Sequence, residues 1–100
     1  MLTKQEILQK IEKHKEEIKA LGVNRLVLFG SYAKGKQKKE SDVDFLVEFA
    51  PGRGLYKDYV QLLQLLRKNL HKKIDLVKPS LVREELRESI LRGTQVEAKI

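Results

Sequence analysis

The sequence predicts an α/β (α+β) fold, a small mixed β-sheet covered by helices. Two long stretches carry apolar residues at helical spacing, and three short apolar runs are bounded by Gly, Pro or charged residues, as strands are. With 100 residues and no internal repeat or linker, the chain reads as a single domain, residues 1–100.

Thr3 to Glu6 has the form of a capping box: the Thr hydroxyl accepts from the amide three residues on, and the Glu side chain reaches back. Ile7, Ile11, Ile18 and Leu21 follow near one face, with His14 half-buried on the same stripe. Gly22 stands where a left-handed C-cap is expected, so one helix covers about residues 3–21. Arg25 to Phe29 is a buried strand ending at Gly30-Ser31. Residues 30–41 form a Lys-rich loop with a short helical turn for which Ser31 is a good N-cap. From Asp42 to Phe49 the pattern alternates: Val43, Phe45, Val47 and Phe49 take one face, and Asp42, Asp44, Leu46 and Glu48 the other. Pro51 to Gly54 is a loop, and its two glycines, a fragment of a dinucleotide fingerprint lacking the third Gly, read as flexible punctuation.

Tyr56 to Leu70 is a second helix with an apolar stripe wide enough for a core plus an interface. Tyr56 and Tyr59 on it read as packing residues rather than base-stacking ones. Ile74 to Val77 is a third short strand carrying one carboxylate, and Pro79 ends it. Ser80 is expected to cap a third helix with Val82, Leu86 and Ile90 inward and Gly93 at its end; residues 95–100 alternate weakly, as a short last strand would.

The formal net charge is +7, from 21 Lys and Arg against 14 Asp and Glu, which suits a polyanionic or acidic partner without choosing among them. Without Cys there is no disulfide framework and no thiolate zinc site. No apolar signal stretch opens the sequence and no segment approaches the roughly 20 apolar residues of a membrane span. These features lead us to expect a cytoplasmic protein that does not enter a membrane.

Chemistry concentrates in residues 30–44. Two Asp at i and i+2 on a strand, Asp42 and Asp44, point to the same side with Cα atoms roughly 6.5–7 Å apart. They can converge on hard cations such as Mg²⁺, whose remaining positions suit phosphate oxygens. Asp75, an acid inside an apolar strand, is the natural third member if its strand neighbours theirs, as a ligand and as a proton acceptor. Gly30 permits close approach to the backbone, Ser31 offers a hydroxyl and helix-start amides for an anion, and Lys34 and Lys36 offer charge. A P-loop is excluded: Gly30 to Lys36 matches its first part, but Gln37 stands where the Mg²⁺-holding Ser or Thr belongs.

Taken together, Leu28-Phe-Gly-Ser-Tyr-Ala-Lys-Gly35 and Ser41-Asp-Val-Asp-Phe-Leu-Val47 resemble the signature of the DNA polymerase beta-like nucleotidyltransferase superfamily, and more closely its minimal nucleotidyltransferase (MNT) group. The resemblance covers nearly the whole chain. It implies a nucleotidyltransferase fold in which Gly30 and Ser31 hold the triphosphate, Asp42 and Asp44 bind two Mg²⁺, and Asp75 binds one metal and helps deprotonate the acceptor. Lys34 stands where many relatives carry Arg; it keeps the charge but loses the bidentate geometry. The resemblance further implies transfer of AMP from ATP to a hydroxyl, a tyrosine, of a HEPN-domain toxin, with this chain as the antitoxin. The alternative is an antitoxin that neutralises by contact alone. Direct nucleic-acid binding has the charge but no further signature.

Overall fold

The computed structural model describes residues 2–79, 88 and 92–100. Helices α1 (Lys4–Lys13) and α2 (Lys15–Ala20) precede strand β1 (Val23–Phe29), the short helix α3 (Gly30–Lys34) and strand β2 (Val43–Phe49). Helix α4 (Tyr56–Leu70) and strands β3 (Ile74–Val77) and β4 (Val96–Glu97) complete the described order. The expected helix capped by Ser80 lies outside the described residues.

The sheet is mixed, in the order β3-β2-β1-β4. β1 pairs antiparallel with β2 and β4, while β2 pairs parallel with β3. Parallel pairing requires a crossover, and α4 supplies it. One face of the sheet is dry. Leu26 and Leu28 of β1, Val43, Phe45 and Val47 of β2, and Ile74 and Leu76 of β3 form one cluster with Ile7, Ile11, Ile18, Leu62, Leu66 and Leu70 of the helices. The period-two alternation therefore sends Asp44, Leu46 and Glu48 to the opposite face, together with Arg25, Val27, Asp75 and Val77. At the far end of that face Arg25 pairs with both Glu48 and Glu97.

Several local details differ from the sequence reading. Helix 3–21 is broken at His14, whose φ of −107° and ψ of 18° leave the helical region. Its amide is shared between the carbonyls of Lys10 and Ile11, a tightened last turn that no Gly or Pro announces. The stripe survives the break, since Ile7, Ile11 and Ile18 are all buried. Thr3 Oγ1 accepts from the Glu6 amide at 3.2 Å, but its hydroxyl donates to Glu6 Oε1, so the carboxylate binds the cap's side chain instead of its amide. β1 begins at Val23, two residues earlier than expected; a bulge between Val23 and Arg25 brings both Val23 and Leu26 into the core.

The loop at 51–54 is held rather than flexible. Arg53 makes two bonds to the Asp58 carboxylate, at 2.9 and 3.1 Å, and a third to the Ala20 carbonyl at 3.0 Å. The Gly54 amide donates to the same carboxylate at 3.0 Å. Gly54 is buried at φ +84°, and the Phe49 ring fills the space a Cβ would need. Arg53 thus joins the end of α2 to the start of α4. The Arg53 hydrogen bonds, followed by the Gly54 amide, hold the Asp58 carboxyl down at about 2. A depressed pKa contributes stability above the ordinary carboxylate range that is lost as pH falls through about 2. Asp58→Asn should lower the Tm at neutral pH, with the gap from the parent closing between about pH 4 and pH 2; thermal melts across that range check it. Tyr32 is fully buried with its hydroxyl unpartnered among the described residues. Tyr32→Phe should therefore leave stability unchanged or raise it by about 1 kcal/mol, read as the urea midpoint at constant slope.

Candidate functional site

The site is built where β1 ends and β2 and β3 begin. The parallel register sets Asp44 directly beside Asp75, and the antiparallel register sets Phe29 on the other side of Asp44. Partners in register share a face, so Asp75 stands on the same side as Asp44. Asp42 lies two residues before Asp44, just ahead of β2. Asp42 and Asp44 are half-buried and Asp75 is exposed. The three acids expected to meet therefore share one edge of the outer face.

Gly30 follows Phe29 and opens α3 at φ +75°, a conformation that glycine adopts without strain. A Cβ there would strike Asp44 Oδ2. The glycine thus has a structural reason beyond access for a ligand: it leaves the Asp44 carboxylate its place. Ser31 is the second residue of α3 and not its cap, since the cap position falls on Phe29, which offers no side-chain bond. Ser31 directly follows Gly30, whose missing Cβ leaves room for the Asp44 carboxylate. Lys34 ends α3 and is exposed; Gly35 closes the turn in the left-handed conformation.

Burial raises the Asp44 carboxyl to about 6, and the charges of Asp75 and Asp42 add to the shift. Among the described residues no Lys or Arg forms an ion pair with any of the three acids. Nor, among the described residues, do any three His, Cys, Asp or Glu side chains stand close enough to hold a metal ion as they are. Like charges on one edge keep apart, and burial favours a proton on Asp44. The donor set still fits a hard cation, being all oxygen, clustered by register and lacking a cationic partner among the described residues. Drawing the side chains together is the work such a cation would do. An open cleft lined by Asn24, Glu48, Phe49, Arg53 and Lys78 lies toward the other end of β2 and includes none of these residues.

With its folded pKa above the unfolded value, Asp44 contributes stability at low pH that is lost as pH rises through about 6. In EDTA the parent should lose this contribution between about pH 4 and pH 7, and Asp44→Asn should flatten that part of the profile. Added Mg²⁺ should restore the parent's Tm above pH 6 and leave the variant nearly unmoved; melts with and without Mg²⁺ measure both.

Comparison with known proteins shows the family. Residues 11–99 match the family described as Nucleotidyltransferase domain. The protein adenylyltransferase MntA of Thermococcus cleftensis is 37% identical over 93 residues, covering 92% of this chain and 93% of that one. A solved minimal nucleotidyltransferase superposes with a TM-score of 0.68 at 31% identity, covering 93% of this chain and 95% of its own. A toxin–antitoxin crystal structure with AMP-PNP gives a TM-score of 0.70 at 26% identity, covering 90% of this chain and 70% of that one. A mixed sheet with an Asp-x-Asp strand beside a third acid, and a Gly-Ser turn packed on it, thus comes with similarity along nearly the whole chain: the protein belongs to the nucleotidyltransferase domain family, as a minimal nucleotidyltransferase.

Proposed function

We propose that this chain transfers AMP from ATP to a hydroxyl, a tyrosine, of a HEPN-domain toxin partner and so acts as that partner's antitoxin. One observation carries the reading: the β2–β3 register seats Asp44 against Asp75 beside the Gly30-Ser31 turn. The name of the Thermococcus cleftensis relative and the AMP-PNP bound in the toxin–antitoxin structure support the same chemistry.

In this reading the Ser31 hydroxyl and the first amides of α3 donate to phosphate oxygens of ATP. Gly30 keeps the backbone low enough for that approach, and Lys34 adds positive charge at the outer edge. Asp42, Asp44 and Asp75 would hold two Mg²⁺ ions, which when bound neutralise the charge gathered on the α-phosphate and the leaving pyrophosphate. Asp75, the exposed acid, faces the arriving hydroxyl and takes its proton as the oxygen attacks the α-phosphorus. The bond to the bridging oxygen breaks, pyrophosphate leaves, and AMP stays on the acceptor.

A second reading, neutralisation by contact alone, rests on the exposed start of α4. The wide apolar stripe of that helix is mostly spent in the core, through Leu62, Leu66 and Leu70, but Leu55 and Tyr56 remain 75% and 84% exposed. The Asp42→Asn, Asp44→Asn double variant separates the two. Label transfer from α-labelled ATP to a co-purified partner should fall by roughly a hundredfold or more, with the complex intact on gel filtration. Undiminished protection of cells by that variant would show that contact suffices.

A further inference from the structure

Most of the chain's net positive charge stands in two segments beside the three acids. Segment 34–41, between α3 and β2, and segment 71–73, between α4 and β3, hold six lysines against one glutamate. Five of the seven net charges therefore fall in eleven residues. The two loops are joined. Lys72 Nζ donates to the Lys39 carbonyl at 2.9 Å, and the Val43 amide donates to the Lys73 carbonyl at 3.0 Å. Within the first loop the Lys38 amide donates to Ser41 Oγ at 2.8 Å. Lys38, Lys39 and Lys73 are exposed, and Lys72 is half-buried by its tie.

A surface charged for solubility spreads like charges apart, because crowding them costs repulsion. Here six lysines fall within two joined loops, and the Lys72 ammonium is held between them. Lys34 and Lys36 lie toward Ser31 and suit the triphosphate. The other four gather where β2 and β3 begin: Asp42 follows the first loop directly, and Asp75 follows Lys73 by two residues. In the transfer reading above, that is the end at which the acceptor hydroxyl arrives. We propose that Lys38, Lys39, Lys72 and Lys73 form a docking rim for an acidic polypeptide segment, so that the acceptor hydroxyl is flanked by Asp or Glu. The inference rests on the transfer reading above and narrows its substrate class.

The chemistry of the rim favours polypeptide over nucleic acid. Neither loop contains Phe, Tyr, Trp or Arg, so bases find only the His71 imidazole to stack on and phosphates no bidentate fork. The three acids at the centre repel a continuous phosphodiester backbone. Flexible ammonium groups instead suit separate carboxylates whose spacing leaves a neutral hydroxyl free to reach Asp75.

The test uses short synthetic peptides with one central tyrosine flanked by Glu, Ser or Lys, and a short single-stranded RNA. Binding to the whole chain is read by fluorescence anisotropy, and AMP transfer is read separately. The Glu-flanked peptide should bind at least about tenfold more tightly than the other two peptides, weakening as NaCl is raised. Lys38→Glu, Lys39→Glu and Lys73→Glu together should abolish that preference, with Lys72 kept because it ties the loops; an unchanged Tm shows that the variant folds. On transfer, the variant should raise KM for the Glu-flanked peptide and leave KM for ATP unchanged. Equal binding of all three peptides, a charge-reversed variant that binds as the parent does, or tighter binding of RNA than of the acidic peptide overturns the proposal. Selective binding of the acidic peptide without AMP transfer counts against the transfer chemistry and for the rim.

Discussion

The pairing of β2 on β3 governs this structure, because it decides where three negative charges go. The register places Val43 opposite Ile74, Asp44 opposite Asp75 and Phe45 opposite Leu76. Sliding one strand by one residue would turn Asp75 into the core and Leu76 out of it, since side chains alternate with period two. Strands lie about 4.8 Å apart, so two neighbouring carboxylates repel by roughly 1–3 kcal/mol at effective dielectrics of 80 to 20. Each buried apolar partner contributes about 1.5–3 kcal/mol, and Val43, Phe45, Ile74 and Leu76 are all in the core. Burial exceeds repulsion severalfold. The core therefore sets the register, and the register imposes the acid cluster that the free chain would avoid.

This explains why much of the fold and the site could be read from the residues. Alternation through Asp42–Phe49 named both faces of β2, and the bounds of α4 and β3 follow from apolar spacing and from Pro79. What could not be read depends on groups distant in sequence or on backbone geometry. The loop at 51–54 looks like glycine punctuation until Arg53 is seen to reach Ala20 and Asp58 together. The break at His14 depends on one amide shared between two carbonyls, and the bulge at Val23 on a register shift with β2.

The same limit applies at the site. Residue types and spacing announced Asp42, Asp44, Gly30 and Ser31, but strand order is not written in any one segment. That β3 lies next to β2, and not beyond β1, follows from the crossover through α4 and from which faces are apolar. Gly30 is a sharper case. The role proposed for it, an opening for phosphate, is readable from the pattern; its close approach to Asp44 Oδ2 is not, because Asp44 is fourteen residues away. The fold and the proposed chemistry would both use the same missing Cβ.

Charge along this edge is arranged in two zones that need each other. The acids alone form a place the folded chain disfavours, as the carboxyl of Asp44 raised to about 6 records. The lysines of the two loops flank these acids along the chain, yet among the described residues none pairs with one of the three. Pairing would have neutralised the carboxylates and removed them as ligands or bases. Keeping the ammonium groups at the rim leaves the centre reactive, while the mean field of the edge still attracts anions. An edge built this way sacrifices some stability to keep unpaired acids available, which is the pattern expected where a sequence departs from its own folding rules for the sake of chemistry.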